Sequence, residues 1–248
     1  MDLTVPTVMV GCPVRNRDWV LPYYLLRVLS LDYPLSKLSL VFLANDCIDE
    51  TVGILRNFQF LYESKVHRFC IDVRNYGALL DTRDNSPLRS GSNYSHFARV
   101  RNDFVSLLST EEYILSIDSD LLVSSDLLTR LLSRKVDIVS ALVDNSRGVD
   151  STHNVMRWTS CGKAEHVRKD TYESGSLLEV DVTGACYLLS RVVFEKGVRY
   201  RDCPQGEDLG FSRDAQEKGF KLFCDTGLCP FHAMTPKLLS EKLGTVDV

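Results

Sequence analysis

The sequence lacks the basic surplus that proteins bound to nucleic acid usually carry. Its 33 aspartates and glutamates outnumber its 29 lysines and arginines, which gives a formal net charge of -4. Because such proteins need positive charge to neutralise phosphates, this balance argues against a protein whose main partner is DNA or RNA. A local basic cleft is still compatible with it.

Long hydrophobic runs are missing as well. No apolar stretch approaches the roughly 20 residues that a membrane-spanning helix needs. Residues 1–11 contain no basic leader, and residues 5–10 resemble a short apolar strand more than a secretory signal. These two absences predict a cytoplasmic chain with no transmembrane segment.

Closely spaced cysteine pairs are a third absence. The eight cysteines are spread along the chain, mostly in apolar stretches such as 184–189, which is typical of buried thiols in a reducing compartment. Cys224, Cys229 and His232 offer zinc-binding atoms, but no Cys-x-x-Cys pair completes four ligands. We therefore expect no disulfide framework, and a zinc site is the disfavoured alternative.

The chain consists of short β-rich runs that alternate with amphipathic helices. Predicted strands cover 7–11, 38–43, 66–73 and 113–117, and predicted helices cover 19–30, 50–63 and 96–108. Continuous apolar strands between helices require a parallel sheet covered on both faces. The sequence therefore predicts an α/β fold with a doubly wound, mostly parallel central sheet, in which ligands bind at the carboxyl ends of the strands.

The pattern changes after residue 120. Predicted helices cover 125–133, 191–196 and 208–218, and predicted strands or apolar runs cover 136–143, 178–190 and 220–224. Residues 144–175 are polar and without a clear period, which is typical of a binding loop, a lid or a disordered segment. The length fits one domain over residues 1–248.

Two aspartates directly follow the predicted strand over 113–117. Asp118 and Asp120 flank Ser119, and alternation along an extended segment places both carboxylates on the same side. Carboxylates this close repel unless a cation lies between them, and a hard divalent ion is the natural partner. A polar strand end that feeds a turn and a helix cap is an equally good interpretation of the tripeptide alone.

Further motifs accompany this tripeptide in a fixed order. They are residues 10–17, 43–51 and 98–102 before it, and residues 182–191, 206–211 and 219–232 after it. Together they resemble the A-type (GT-A) nucleotide-diphosphosugar glycosyltransferases, especially glycosyltransferase family 2 and the Anp1-type mannosyltransferases. The resemblance covers nearly the whole chain. It implies a Rossmann-like GT-A fold, with a nucleotide-sugar-binding half over 1–123 and a smaller acceptor-binding, catalytic half over 124–248.

The resemblance implies a nucleoside pocket and a brace for the first aspartate. Pro13, Arg15 and Asp46 would line the pocket, with Asp46 accepting from the base or ribose. Arg101 would support the donor diphosphate or brace Asp118. The alternatives are an Asx turn or helix cap for Asp46 and a solvated helix charge for Arg101.

A divalent metal is implied in the same way. Asp120 would ligate it directly, Asp118 would contact the ribose or a metal-bound water, and His232 would be a third ligand, which favours Mn²⁺ over Mg²⁺. The ion would act as a Lewis acid on the leaving diphosphate. The alternative for His232 is an ordinary core or surface histidine.

Glu207 and Asp208 match the catalytic Glu-Asp motif of the resembled families. The resemblance makes Asp208 the general base in an inverting transfer and gives Glu207 an orienting role, whereas a helix N-terminal cap is the alternative for both. The sequence departs from the family pattern at Asn45, where many members have an acidic residue, and at Asp103, where a small residue is common, and this leaves fine donor contacts open. Trp158, in the polar stretch, either stacks on a sugar or anchors its loop to the core.

The implied function is transfer of a sugar from a nucleotide donor to an acceptor hydroxyl. A UDP-sugar is the default donor, and the Anp1-like resemblance keeps GDP-mannose open. The acceptor is a glycan, a protein, a small molecule or, less favoured by the acidic charge, modified DNA. The competing functions are a sugar-1-phosphate nucleotidyltransferase, disfavoured because residues 11–19 lack a glycine-rich phosphate loop, and a non-catalytic nucleotide-sugar-binding module.

Overall fold

A computed structural model describes residues 5–77, 94–145 and 152–244 of the chain. The strands are β1 (Val8–Val14), β2 (Leu38–Asn45), β3 (Arg68–Arg74), β4 (Tyr113–Ile117), β5 (Leu121–Leu122), β6 (Ile138–Ala141), β7 (Met156–Trp158), β8 (Ala164–His166), β9 (Leu177–Val180), β10 (Cys186–Ser190), β11 (Leu222–Asp225) and β12 (Phe231–His232). The helices are α1 (Leu21–Leu29), α2 (Thr51–Tyr62), α3 (Tyr94–Val105), α4 (Leu127–Ser133), α5 (Arg191–Glu195), α6 (Glu207–Glu217) and α7 (Pro236–Leu243), and 3-10 turns cover Leu35–Lys37 and Lys169–Thr171.

Eight of these strands form one sheet in the order β3-β2-β1-β4-β10-β6-β11-β9. The pairs β3–β2, β2–β1, β1–β4 and β6–β11 are parallel, whereas β10 runs antiparallel between β4 and β6, and β9 runs antiparallel to β11. The predicted mostly parallel sheet is therefore confirmed. The chain runs outward from β1 to β2 and β3 and then returns to place β4 on the other side of β1. A switch point for ligand binding thus lies between β1 and β4.

Hydrophobic clusters cover both faces of this sheet. Alternate residues of β1 divide between them: Val8 and Val10 pack in the cluster formed with α1, α2 and α4, and Met9 packs in the cluster formed with α3, α5 and α6. All three side chains are fully buried. Each such side chain stabilises the fold by about 1.5–3 kcal/mol relative to exposure. Burial on both faces explains why the strand sequences are continuously apolar.

The apolar run over 178–190 is two strands, not one. β9 lies at the edge of the sheet beside β11, whereas β10 lies in its centre between β4 and β6. The chain reverses between them, and Ala185 adopts a left-handed conformation with φ 65°. The sequence predicts an ordered apolar run there but not its division into two strands, because strand pairing and not local composition divides the run.

The polar stretch over 144–175 contains more order than its composition predicts. β7 and β8 pair antiparallel, and Asp144 and His153 form an isolated bridge at the base of this stretch. Residues 146–151, and most of the polar loop over 75–93, lie outside the described residues. None of the described helices combines the length and the apolar character needed to span a lipid bilayer. The division of the chain into two functional halves stays a prediction.

Candidate active site

The predicted nucleoside and metal residues meet at the carboxyl ends of β1, β2 and β4. Residues 15–17 follow β1, Asp46 follows β2 and residues 118–120 follow β4. Because these three strands are parallel neighbours, their ends lie at one edge of the sheet, at the switch point. The fold therefore collects residues that are more than a hundred positions apart in the sequence, such as Arg17 and Asp120.

A short two-stranded ladder brings His232 to the aspartates. The turn after β4 is closed by a hydrogen bond in which the Leu121 backbone N–H donates to the Asp118 carbonyl (2.9 Å). β5 then pairs antiparallel with β12, so that His232 lies opposite Leu121. The Ala233 N–H donates to the Asp120 carbonyl at 2.8 Å and extends this pairing. His232 is thus held beside Asp120 by backbone contacts.

The Asp120 carboxylate lies between an imidazole and a guanidinium. His232 Nε2 is 3.5 Å from Asp120 Oδ1, and Arg17 Nη2 is 3.4 Å from Asp120 Oδ2. Burial alone raises the pKa of Asp120, but the His232 imidazole and the Arg17 guanidinium more than offset this, so that the pKa is lowered. Asp120 is therefore ionised at neutral pH, which is the form that ligates a metal.

The donor set around Asp120 fits a divalent ion. Two ligands that are each about 2.1 Å from one ion lie roughly 3 Å apart, close to the observed Asp120–His232 separation. His232 Nδ1 lies 3.0 Å from Asn145 Oδ1, so that a proton on Nδ1 is held there and Nε2 is left to face Asp120. A carboxylate, an imidazole and an orienting amide are the elements of such a centre. Among the residues described, however, no group of three or more His, Cys, Asp or Glu side chains converges on one point.

Asp118 forms an ion pair with Arg101. Arg101 Nη2 lies 2.7 Å from Asp118 Oδ1, and the Arg101 side chain is only 11% exposed. Burial lowers the pKa of Arg101, but Asp118 and other nearby acidic groups raise it well above its usual value, so the guanidinium stays charged. A solvated helix charge is therefore wrong for Arg101. Its contact is the one expected of a brace for the first aspartate.

Asp46 is held in a strained and well-ordered position. Its φ is 49°, its N–H donates to the Arg74 carbonyl at 3.0 Å, and its own carbonyl accepts from Arg15 Nε at 3.2 Å. Asp46 Oδ1 accepts the backbone N–H groups of Tyr76 and Gly77, both at 2.9 Å. The carboxylate therefore closes a turn after β3 and does not cap α2.

The turn before α2 and the half-buried Pro13 complete this end of the site. Asp49 Oδ1, not Asp46, accepts the N–H of Thr51 at 3.0 Å, where α2 begins. Pro13 is the next-to-last residue of β1 and lies opposite Leu43 of β2. Pro13, Arg15 and Asp46 thus lie at the same edge of the sheet, as the sequence predicts.

Asp103, where the family pattern has a small residue, stabilises the segment that leaves β3. Its carboxylate accepts from Arg74 Nη1 at 2.9 Å and from the Tyr76 hydroxyl at 2.8 Å. Tyr76 is the residue whose N–H binds Asp46. The departure at Asp103 therefore acts through Tyr76 on the shape of the nucleoside end of the site.

Glu207 and Asp208 form the first turn of α6, as expected. Glu207 is only 8% exposed, and a Cβ built at Gly184 would overlap the Asp208 carboxylate. Gly184 precedes Ala185, whose carbonyl accepts the Asp118 N–H at 2.8 Å. The loop between β9 and β10 therefore places Asp208 near the first aspartate, and the absence of a side chain at Gly184 leaves room for its carboxylate.

Sequence analysis missed Asn102, which ties α3 to the segment before α6. Asn102 Nδ2 donates to the Tyr200 carbonyl at 2.8 Å, and the Tyr200 N–H donates to Asn102 Oδ1 at 2.9 Å. Its neighbour Arg101 binds Asp118. The adjacency to Arg101 was the available signal, but an asparagine on a helix gives no indication of its partner.

Trp158 is partly buried and lies against α6. Its indole Nε1 donates to Gln216 Oε1 at 2.8 Å, and the Arg213 guanidinium lies 4.7 Å from a Trp158 ring centroid. A small separate cluster, which includes Val182 and Leu209, packs beside it. Of the two alternatives for Trp158, the structure shows the anchor that holds the β7–β8 hairpin.

The fold is that of the GT-A class of glycosyltransferases. Residues 5–186 match the model of the glycosyltransferase family 25 N-terminal domain, and the chain belongs to that family. The predicted class is thus confirmed, and the family that the match identifies is family 25.

Curated relatives and solved structures agree with this assignment. A glycosyltransferase 25 family member of Anopheles gambiae is 28% identical over 56% of the chain, and the inactive glycosyltransferase 25 family member 3 of Mus musculus is 27% identical over 57%. The matched region is 24% of the length of each relative. In fold, the chain is similar to S. aureus TarS 1-349 (TM-score 0.60, 15% identity, 95% of this chain, 62% of that one). It is also similar to the mannosyltransferase PcManGT from Pyrobaculum calidifontis (TM-score 0.59, 14% identity, 94% and 58%).

Proposed function

We propose that this chain is an inverting, metal-dependent glycosyltransferase that uses a UDP-sugar and transfers the sugar to an acceptor hydroxyl. The observation that carries the proposal is the pairing of Asp120 with His232 at the switch point, with Arg101 bracing Asp118. Support for a nucleotide-sugar donor comes from the neighbours in fold: TarS is described in complex with UDP and with UDP-GlcNAc, and PcManGT with GDP-Man and Mn²⁺.

In this proposal Asp120 and His232 would hold the divalent ion, Mn²⁺ or Mg²⁺. The ion supplies Lewis-acid stabilisation of the leaving diphosphate. Asn145 keeps the imidazole of His232 oriented, and Asp118, fixed by Arg101, faces the ribose. Pro13, Arg15 and Asp46 receive the nucleoside, and residues 1–123 form the donor half.

The acceptor half, residues 124–248, supplies the base. Asp208 takes the proton of the acceptor hydroxyl as its oxygen attacks the anomeric carbon from the face opposite the diphosphate, and this geometry inverts the configuration. Its position in the first turn of α6 favours the carboxylate form, because the helix dipole stabilises negative charge there. Glu207, buried beside it, orients the site.

The test is donor turnover with a matched pair of variants. The chain is incubated with UDP-glucose, UDP-galactose, UDP-GlcNAc or GDP-mannose, with Mn²⁺ or with EDTA, and release of the nucleoside diphosphate is measured. Turnover of one UDP-sugar is expected only with the metal, and Asp120→Asn should lower it at least about 100-fold. Asp126→Asn, an exposed aspartate that caps nothing with its side chain, is the control and should retain full turnover.

Other outcomes would replace the proposal. Consumption of a nucleoside triphosphate with release of pyrophosphate would support the nucleotidyltransferase. Binding of UDP without turnover of any donor would support the non-catalytic module, a candidate favoured by the mouse relative whose name describes it as inactive. If Asp120→Asn behaves like wild type, the metal site is in the wrong place.

A further inference from the structure

The nucleoside end of the site contains a second polar group besides Asp46. His96, near the start of α3, has a buried Nε2 atom with no hydrogen-bond partner in the described part of the chain. Asp46 Oδ2 is the second buried atom of this kind at the same end of the site. Because buried polar atoms are nearly always hydrogen-bonded, two unpartnered ones at one end of the site point to a ligand that pairs with both.

Tyr76 joins His96 to Asp46. The Tyr76 N–H donates to Asp46 Oδ1 at 2.9 Å, and the Tyr76 ring meets the His96 ring edge-on, with centroids 5.6 Å apart. Arg99 lies over the Tyr76 ring at 5.1 Å, and the Tyr76 hydroxyl donates to Asp103. Tyr76 is thus held along α3 and contacts both Asp46 and His96, and the Asp46 carboxylate is near enough to act electrostatically on the His96 imidazole.

The two groups differ in hydrogen-bonding character. Burial lowers the pKa of His96, which leaves a neutral imidazole with one N–H donor at neutral pH. Asp46 offers acceptors only, and the two N–H groups of Tyr76 and Gly77 already occupy both lone pairs of Oδ1. The site therefore presents a single acceptor oxygen, Oδ2, next to a single N–H donor.

We infer that His96 determines base specificity together with Asp46, and that this pair selects uracil over guanine. Uracil presents one donor, N3–H, flanked by carbonyl acceptors, so Asp46 Oδ2 accepts N3–H while His96 Nε2–H donates to an adjacent carbonyl. Guanine presents two neighbouring donors, N1–H and the N2 amino group, and would leave one unpaired because Asp46 Oδ1 is occupied. The inference rests on the proposed function and adds to it a residue that reads the base.

Calorimetric titration of the full chain with UDP and with GDP, both in Mn²⁺, tests this role. Wild type should bind UDP more tightly than GDP. His96→Phe keeps the aromatic packing against Tyr76 but removes the donor, and it should weaken UDP binding about tenfold while changing GDP binding less than about twofold. His96→Gln restores a donor and should recover most of the UDP affinity. The control is His67→Phe, an exposed histidine that precedes β3 at the opposite end of the sheet, and it should change neither value.

A purely structural role for His96 predicts a different result. In that case His96→Phe binds both nucleotides like wild type, or weakens both equally, and the inference is wrong. It is also wrong if wild type prefers GDP. If wild type turns over a UDP-sugar but the UDP-to-GDP ratio is unchanged in His96→Phe, only the role of His96 fails. If wild type binds neither nucleotide, the proposed function fails and the inference with it.

Binding of UDP analogues to the wild-type protein tests the same contacts without depending on the folding of a variant. Sulfur is a weaker hydrogen-bond acceptor than oxygen, so either 2-thio-UDP or 4-thio-UDP should bind more weakly than UDP, according to which carbonyl His96 contacts. UDP methylated at N3, which lacks the N–H for Asp46, should lose binding more strongly. Equal affinity for UDP and both thio analogues would overturn the contact with His96.

Discussion

Replacing Asn102 with alanine tests how the two sides of the site are held together. The change removes both hydrogen bonds to Tyr200 and leaves that residue's N–H and carbonyl without their partner side chain. Tyr200 is only 4% exposed, so water has little access to the released groups. Two lost bonds at about 1 kcal/mol each, plus incomplete solvation of the backbone groups, give a destabilisation of about 2–4 kcal/mol.

Urea unfolding measures this loss, and Asn57→Ala is the matched control. Asn57 is exposed on α2, so the same substitution changes helix propensity there without removing a buried contact, and it should cost less than about 0.5 kcal/mol. Asn102→Ala should also lower turnover more than it lowers UDP affinity, because the segment that Asn102 holds leads to Asp208. A loss below about 0.5 kcal/mol for Asn102→Ala would refute the clamp.

Three further predictions concern the contribution of Glu111 to stability in acid, the position of the proposed base Asp208, and the buried carboxylate of Asp225. Burial raises the pKa of Glu111, but hydrogen bonds from the Ser109 N–H and the Arg68 guanidinium outweigh it and lower that pKa to about 2 from 4.5, so its stabilisation is present above pH 4.5 and lost as the pH falls toward 2. Glu111→Gln should flatten that loss in acid unfolding curves, and an unchanged slope would contradict it. Gly184→Ala should displace the Asp208 carboxylate and lower kcat at least about tenfold, while UDP binding, measured by calorimetry, stays within twofold. A variant with the kcat of wild type would show that the Asp208 side chain moves aside without loss of function. Asp225→Ala removes a fully buried carboxylate paired with two arginines and should cost about 3 kcal/mol in urea unfolding, whereas a cost under 1 kcal/mol would mean that solvent replaces the pairs.

Local sequence pattern was sufficient to predict the helices and strands that bury continuous or periodic apolar residues. The run over 113–117 is apolar and bounded by polar residues, and β4 has those same limits. The helix predicted over 208–218 coincides with α6 to within one residue at each end. Burial on both faces of a parallel sheet produces continuous apolar strands, and that signal is present in the sequence itself.

Local sequence pattern could not predict contacts between distant segments of the chain. β5 and β12 are two residues each, too short for any periodicity, yet their pairing sets His232 beside Asp120. Local pattern does not show the order of the strands in the sheet either, which is why the division of residues 178–190 into β9 and β10 was not predicted. The resemblance to known motifs supplied His232 as a candidate, and the ladder gives the physical reason for its position.

The dipeptide Arg101–Asn102 shows how one helix organises both sides of the site. Successive residues on an α-helix point about 100° apart, so neighbours cannot share a partner. Arg101 reaches Asp118 at the end of β4, and Asn102 holds Tyr200 in the segment that leads to α6. A shift of α3 would therefore move the first aspartate and the Glu-Asp motif together. In the proposed reaction, this coupling keeps the distance between the donor diphosphate and the base fixed by one rigid element.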